Sequence, residues 1–248
     1  MFYEITFSPT GGTKKCADLL SGAWDVKTEI DLMNRRDAFA KYSFTAEDIC
    51  LIAVPSFAGR VPAIATERLA EMQGNGAKAI AVAVYGNRAY EDTLVELEDI
   101  LKNCGFQVAG GATVVAEHSI FREFAQGRPD AEDAEQLKAW SEKLKGKAEI
   151  GGAVSLPGNR PYKKYGAIPM TPKASVCQNC GKCVSRCPVG AIPADNPKET
   201  DGKKCITCMA CVAECPIQAR SVNPIALAGA KALLKKALSG KKENEIFI

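Results

Sequence analysis

Two cysteine runs in the last third of the chain constrain its fold more than any other feature. Each run has the spacing C-x2-C-x2-C-x3-C-P, and the second repeats the first at an offset of 28 residues. Together they contain eight of the 11 cysteines among 248 residues. The runs comprise Cys177, Cys180, Cys183 and Cys187, and then Cys205, Cys208, Cys211 and Cys215. Because so few residues separate the thiols, each run predicts a tight loop around a metal centre.

In this spacing, three neighbouring cysteines bind one [4Fe–4S] cluster and the fourth cysteine binds the other. We therefore expect two clusters. One would be bound by Cys177, Cys180, Cys183 and Cys215, and the second by Cys205, Cys208, Cys211 and Cys187. Structural zinc would need about four ligands per site, usually from two separated C-x2-C pairs. Disulfides suit secreted scaffolds rather than cysteines concentrated in one part of a larger chain. A redox C-x-x-C pair would not need eight cysteines.

Composition narrows the class of protein. A hydrophobic content of 46% is ordinary for a globular protein. The formal charge of +3 gives no sign of nucleic-acid binding, and bound clusters would make the loaded protein more acidic. No apolar run approaches the roughly 18 residues of a membrane span, and the opening MFYEITFSPTGG does not resemble a signal peptide. We therefore expect a cytoplasmic protein without a membrane span.

The residues before the cysteine runs alternate strand-like and helix-like segments. Strands are predicted at 2–7, 26–32, 49–54, 77–84 and 106–116, and helices up to residue 20 and at 61–72, 91–103 and 131–145. This alternation predicts an α/β fold with a doubly wound parallel sheet, and five strands fit the flavodoxin-like order 2-1-3-4-5. A small α+β ferredoxin-like domain with two clusters follows. The expected boundaries are 1–148 for the α/β domain, 149–171 for a linker strap, 172–223 for the cluster domain, and 224–248 for a terminal helix and tail.

Ligands of doubly wound sheets bind beyond the carboxyl ends of the strands, and three loops there predict an FMN site. The first loop, at 8–13, places hydroxyls and glycines at a helix N-terminus, as in the flavodoxin phosphate loop; an ordinary capped turn is the alternative. The other two loops carry aromatic residues that would lie against the isoalloxazine ring or belong to the core. The predicted FMN-binding residues are Ser8, Thr10, Gly11, Gly12 and Thr13; Pro55, Ser56, Phe57, Ala58, Gly59 and Arg60; and Tyr85, Gly86, Asn87, Arg88 and Tyr90.

His118 is the only histidine of the chain. It follows the fifth predicted strand, so we expect it beside the flavin as a contact or a proton relay. A lone histidine is more often a hydrogen-bonded structural residue. If the flavin reduces a small substrate, His118 or Tyr90 would be the proton donor.

With these motifs, the chain resembles the flavodoxin–ferredoxin fusion family of anaerobic bacteria and archaea, often labelled ferrodoxin. The resemblance covers nearly the full length. It rests on SPTGGTKK at 8–15, PSFAGRVP at 55–62, YGNRAYEDTL at 85–94, AEHSI at 116–120, PGNRPYK at 157–163 and the two cysteine runs. It implies FMN in the first domain, two [4Fe–4S] clusters in the second, and a role in electron transfer.

Arg60 and Arg88 depart from simple flavodoxins, whose loops around the flavin are typically rich in acids. A guanidinium that faces the ring would stabilise the reduced, anionic flavin and raise its potential. Either arginine could instead face solvent or neutralise the phosphate.

Three further segments have expected packing roles. Val189–Ile192 and Ile217–Arg220 follow the two cysteine runs and are expected to pack the cluster domain. Residues 225–238 predict an apolar helix within a tail, 225–248, whose net charge is +3. That helix would pack on one of the domains, with docking of an acidic partner as the alternative.

Three functions stay open at this point. The first is electron transfer between FMN and the clusters, with an unidentified redox protein as donor or acceptor. The second is flavin-dependent reduction of a small molecule, and the third is redox sensing without turnover. No G-x-G-x-x-G element follows a strand, so a nicotinamide would have to bind transiently. A homodimer is also open.

Overall fold

The computed structural model describes residues 1–166 and 170–248. The first domain consists of β1 (Phe2–Thr6), α1 (Gly12–Leu20), β2 (Thr28–Asp31), β3 (Ile49–Pro55), α2 (Ala63–Ala70), β4 (Lys78–Tyr85), α3 (Thr93–Asn103), β5 (Gln107–Val115) and α4 (Ala131–Ile150), with a short 3-10 helix at Phe39–Lys41. The remainder consists of β6 (Lys173–Ala174), α5 (Lys182–Arg186), α6 (Ala210–Ala213), β7 (Arg220–Ser221), α7 (Pro224–Leu238) and β8 (Glu245–Phe247).

The main sheet has the strand order β2-β1-β3-β4-β5-β8. Its first five strands are parallel and confirm the predicted flavodoxin-like order 2-1-3-4-5. The prediction of only five strands was wrong, because β8 pairs antiparallel with β5 and makes the sheet mixed. An open edge strand offers unpaired backbone groups, and the tail of the chain satisfies those of β5. The first domain is thus completed by residues that follow the cluster domain.

Apolar side chains bury both faces of the sheet. On one face, strand residues such as Ile52 pack with Leu69 of α2 and Leu97 of α3. On the other face, Leu20 of α1 and Leu137 of α4 pack against the strands. Strands buried on both sides read as continuous apolar runs, which is why ICLIAV at 49–54 identified β3 from sequence alone. In the part of the chain that the structure describes, no helix combines the length and apolarity needed to cross a membrane.

The linker is extended chain laid across α3. Helix α4 continues to Ile150, beyond the predicted end at 145, and stops at Gly151, whose φ of 77° is the left-handed backbone that glycine adopts easily. Asp92, buried at the start of α3, accepts hydrogen bonds from the backbone N–H groups of Asn159 (2.8 Å) and Lys163 (2.7 Å). Burial opposes ionisation of Asp92, but these N–H donors hold the pKa of its carboxyl below the usual value. The strap is therefore attached to the α/β domain at defined points.

Two arginines join the cluster domain to the carboxyl edge of the sheet. Arg68 of α2 is buried and donates to the carbonyls of Leu32 and Pro188, so it links the end of β2 to the residue after Cys187. Arg186 of α5 pairs with Asp31 at 2.9 Å and donates to the Ser8 carbonyl at 3.1 Å. The cluster domain consequently sits beside the loops in which the sequence predicts ligand binding.

Candidate functional site

The eight motif cysteines form two sets of four around two small cavities. Cys177, Cys180, Cys183 and Cys215 line one cavity, and Cys187, Cys205, Cys208 and Cys211 line the other. We call them the outer and inner cysteine sites, because Cys180 of the first is exposed whereas the second lies toward the α/β domain. Each site takes three cysteines from one run and the fourth from the other run.

The same local geometry builds both sites. The residue before the second cysteine of each run is left-handed, with φ of 54° at Asn179 and 56° at Thr207. Each run then enters a short helix from another left-handed residue, Gly181 before α5 and Met209 before α6. These turns coil the backbone around a point, so that side chains three residues apart converge there. Repetition of the geometry at the 28-residue offset explains why one sequence pattern makes two sites.

Backbone N–H groups point at the sulfurs of the fourth cysteines. Ala191 N–H donates to Cys187 Sγ at 3.2 Å, and Ala219 N–H donates to Cys215 Sγ at 3.3 Å. Burial opposes ionisation of Cys215, but its N–H donors hold the pKa of that thiol below the usual value. At Cys208 burial dominates and raises the pKa to about 12. Since metal ligands are thiolates, a bound cation is what would stabilise the ionised form at the inner site.

A third and larger cavity, of about 270 Å³, lies where the two domains meet. Its volume is near the lower end of the range for small-molecule sites, about 300–1,000 Å³. The α/β domain lines it with Thr10, Gly12, Thr13, Pro55, Ser56, Phe57, Ala58, Val84, Tyr85, Gly86, Arg88, Ala89 and residues 116–121. The strap, the cluster domain and α7 add Lys163, Tyr165, Gly166, Met170, Ile206, Thr207 and Leu234. We call it the interdomain cavity.

Most of the predicted FMN-binding residues line this cavity. They are Thr10, Gly12, Thr13, Pro55, Ser56, Phe57, Ala58, Tyr85, Gly86, Arg88 and His118. These residues come from the four loops after β1, β3, β4 and β5, which are far apart in sequence. The parallel sheet brings the loops together because it places the carboxyl ends of all these strands at one edge.

The other predicted residues lie outside the cavity lining, and two of them, Asn87 and Tyr90, hold the tail instead. The Asn87 amide donates to the carbonyls of Leu238 and Gly240 at 2.6 and 2.8 Å. Tyr90 packs edge-on against Tyr85, and its hydroxyl donates to Glu245 at 2.8 Å. Tyr85 lines the cavity while its hydroxyl donates to the Glu243 carbonyl at 3.1 Å. The loop after β4 therefore has two roles, one at the cavity and one at the tail.

The first loop forms an anion cradle of backbone and hydroxyl groups. Gly11, outside the lining, has a φ of 89° and immediately precedes α1, while Ser8 Oγ accepts a hydrogen bond from the Lys14 N–H at 2.9 Å. The N–H groups of Gly12 and Thr13 lie in the first turn of the helix, where they have no intrahelical acceptor. Both residues line the cavity together with the Thr10 hydroxyl. A helix N-terminus with free N–H groups binds phosphate well.

His118 forms part of the cavity wall in its neutral form. Its Nδ1 accepts hydrogen bonds from the N–H groups of Ile120 (3.1 Å) and Phe121 (3.2 Å). Burial lowers the pKa of the imidazole to about 4, so the neutral ring carries its proton on Nε2. Gly86 packs directly on this residue, since a Cβ there would lie 2.9 Å from His118 Cα. His118 can thus donate a hydrogen bond, but it is not an acid at neutral pH.

The two arginines that sequence reasoning placed near the ring separate in the structure. Arg60 lies outside the interdomain cavity, where it forms a two-point ion pair with Glu96 at 2.7 and 2.6 Å. Gly59 is also outside the lining, and a Cβ there would collide with Glu91. Arg88 does line the cavity, pairs with Glu91 at 2.6 Å, and shares that carboxylate with Lys163, also at 2.6 Å. Two cations and one anion leave this part of the rim positive.

Sequence reasoning missed the walls that come from outside the α/β loops. Lys163 stands in PGNRPYK, a motif that the family resemblance identified without a role. Ile206 and Thr207 lie between Cys205 and Cys208, so their only signal was proximity to the cysteine run. Their position at the cavity depends on how the domains pack, which no local pattern encodes.

Comparison with known proteins agrees with the cysteine geometry. Residues 170–216 match the family model described as a 4Fe-4S dicluster domain. A search of curated proteins found no match. The chain thus carries a 4Fe-4S dicluster domain after a flavodoxin-like domain.

Solved structures similar to the chain include several flavodoxins. One from Streptococcus pneumoniae TIGR4 is 20% identical, with a TM-score of 0.42, and the match covers 59% of this chain and 99% of that one. Flavodoxin 2 of Bacillus cereus is 15% identical (TM-score 0.43; 59% and 98% covered). A flavodoxin from the domain Archaea is 14% identical (TM-score 0.44; 60% and 99% covered). The assignment of the fold rests on the strand order of this chain itself.

Proposed function

We propose that this protein transfers electrons between FMN, bound in the interdomain cavity, and two [4Fe–4S] clusters, bound in the inner and outer cysteine sites. The observation that carries the proposal is the lining of the interdomain cavity. Ile206 and Thr207, the residues between two cysteines of the inner site, are part of its wall. One wall is therefore shared by the cavity and the inner site.

The donor sets suit the proposed groups. Four thiols converge at each cysteine site, which is the ligand number of a [4Fe–4S] cluster. In the interdomain cavity, free N–H groups and hydroxyls at the start of α1 would hold the phosphate, and Phe57 offers an aromatic face to the ring. Bound FMN exchanges one or two electrons, whereas each cluster exchanges one. Two clusters can thus take up the two electrons that a reduced flavin gives.

The two cysteine sites differ in position, which supports an order of transfer. The inner site is next to the cavity through Ile206 and Thr207. At the outer site Cys180 is exposed, and two large apolar neighbours, Val176 and Ile217, are 66% and 42% exposed. We infer the order FMN, inner cluster, outer cluster, and then a redox partner that docks at the outer site. The direction of flow depends on potentials that the protein tunes through hydrogen bonds and burial.

Residues of this chain have defined tasks in that scheme. Thr10 and Thr13 would bind the phosphate, and Nε2–H of neutral His118 would donate a hydrogen bond toward the flavin. Arg88 and Lys163 supply positive charge at the rim. The structure does not favour a proton-donor role in substrate reduction for His118, because its pKa is near 4. It does not favour that role for Tyr90 either, because burial raises the pKa of its hydroxyl, which donates its hydrogen bond to Glu245.

The composition of the anaerobically purified protein tests this proposal. About eight irons, eight acid-labile sulfides and one FMN per chain are expected, and reductive titration should consume about four electrons. Fewer than four irons together with bound zinc would overturn the cluster assignment. Loss of FMN binding in Thr13→Val with iron unchanged, against the exposed control Thr28→Val, would support the site; retention of full affinity would contradict it.

A further inference from the structure

Arg220 is a buried arginine on the wall between the two cysteine sites. Arg220 is the first residue of β7 and is 2% exposed. It lines the outer site directly. Two groups that accept its hydrogen bonds, the Pro172 carbonyl and Thr200 Oγ1, belong to residues that line the inner site. One guanidinium thus lies between both sets of thiols.

The internal repeat makes this arginine unexpected. At the offset of 28 residues, the counterpart of Arg220 is Ile192, which is 4% exposed and packs in the core of the cluster domain. The position is therefore compatible with an apolar side chain, and burial of a charge there costs free energy unless something compensates it. The asymmetry between two otherwise matching halves calls for a function of the charge.

The hydrogen bonds of Arg220 fix the guanidinium without neutralising it. Its Nη atoms donate to the carbonyls of Pro197 and Pro172 and to Thr200 Oγ1. Its Nε is buried and has no hydrogen-bond partner among the described residues. In residues 1–166 and 170–248, the ion pairs of the structure include no carboxylate on Arg220.

We propose that Arg220 is a single positive charge shared by the two clusters, which stabilises the reduced form of each and raises both reduction potentials. This inference rests on the proposed function, since it requires both sites to hold clusters. Reduction adds one electron from an external donor to a cluster and makes it more negative by one charge. A fixed cation in a medium of low dielectric constant favours that added charge. Because the cation stands between the sites, it raises both potentials together.

The test compares Arg220→Ile with wild type and with Lys198→Gln, which changes an exposed lysine of the cluster domain that lines neither cysteine site. Each protein is titrated anaerobically with a reductant while the clusters are followed by electron paramagnetic resonance. Arg220→Ile, which installs the residue of the first half, should lower the reduction equilibrium constant of both clusters about tenfold, a negative shift of about 59 mV for one electron. Lys198→Gln should change neither constant more than about twofold, because solvent and salt screen an exposed charge.

A second variant covers the case in which Arg220→Ile does not load iron. Thr200→Asp puts a carboxylate where a hydroxyl already accepts from the guanidinium, so it pairs the charge and keeps Arg220 in place. It should lower both potentials with iron content unchanged. The proposal of a shared charge would be overturned if either variant had its full iron content and unchanged reduction potentials. A shift in the potential of one cluster alone would also overturn it. Absence of iron and sulfide from the wild type would instead overturn the proposed function.

Discussion

Gly86 offers the sharpest test of the wall of the interdomain cavity. A Cβ at this position would lie 2.9 Å from Cα, Cγ and Cδ2 of His118, closer than packed carbons approach. Gly86→Ala must therefore displace His118, which is held by two N–H groups on its Nδ1. Overpacking of this kind costs about 1–3 kcal/mol. If this strain weakens the wall that would contact FMN, the FMN dissociation constant rises about 5- to 150-fold.

The assay is titration of apoprotein with FMN, followed by quenching of flavin fluorescence. Gly146→Ala is the matched control, because Gly146 lies in α4 and a Cβ there has nothing within 4 Å. The control should bind FMN as wild type does and gain about 0.5–1 kcal/mol of helix stability. A folded Gly86→Ala protein that binds FMN within twofold of wild type would refute the assignment of this wall.

Three further predictions concern charge. The pKa of His118 falls on folding to about 4, so protonation favours the unfolded chain. The free energy of unfolding should therefore drop by up to about 3 kcal/mol between pH 6.5 and pH 4. In urea titrations across this range, His118→Gln should remove that pH-dependent component. Arg88→Ala should lower the two-electron flavin potential by roughly 30 mV, about 1.4 kcal/mol. Arg60→Ala should leave that potential unchanged, because Arg60 pairs with Glu96 outside the cavity. Equal shifts in the two variants would contradict this placement of Arg60. Asp92→Ala leaves three N–H donors of the strap without an acceptor. In denaturant titrations it should lower the free energy of unfolding by about 3 kcal/mol. An unchanged free energy of unfolding would mean that Asp92 does not anchor the strap.

Local patterns predicted the parts of the molecule that local physics determines. The cysteine spacing fixes which three thiols a tight turn can bring together, and the two-cluster signature assigns the fourth from the other run, so both sets of four follow from sequence. Continuous apolar runs such as the one at 49–54 identify strands that are buried on both faces, and the strand order follows from their alternation with helices.

Features that depend on packing between distant segments were not predictable in this way. The three residues of β8 carry no strand signal of their own and pair with β5 because its edge is open. Tyr90 was expected at the flavin because it matches a stacking aromatic, but the tail supplies Glu245 as the acceptor for its hydroxyl. Arg220 was expected only to pack, since sequence does not reveal that two clusters would lie on either side of it.

Rapid electron injection into the loaded protein tests the central claim most directly. Pulse radiolysis delivers single electrons within microseconds, and the absorbance of the flavin and of the clusters then reports how the electrons redistribute. Because Ile206 lines both the interdomain cavity and the inner site, redistribution should be first order, with a rate constant that does not depend on protein concentration. A rate proportional to protein concentration, or no exchange between the flavin and the clusters, would contradict electron transfer within one chain.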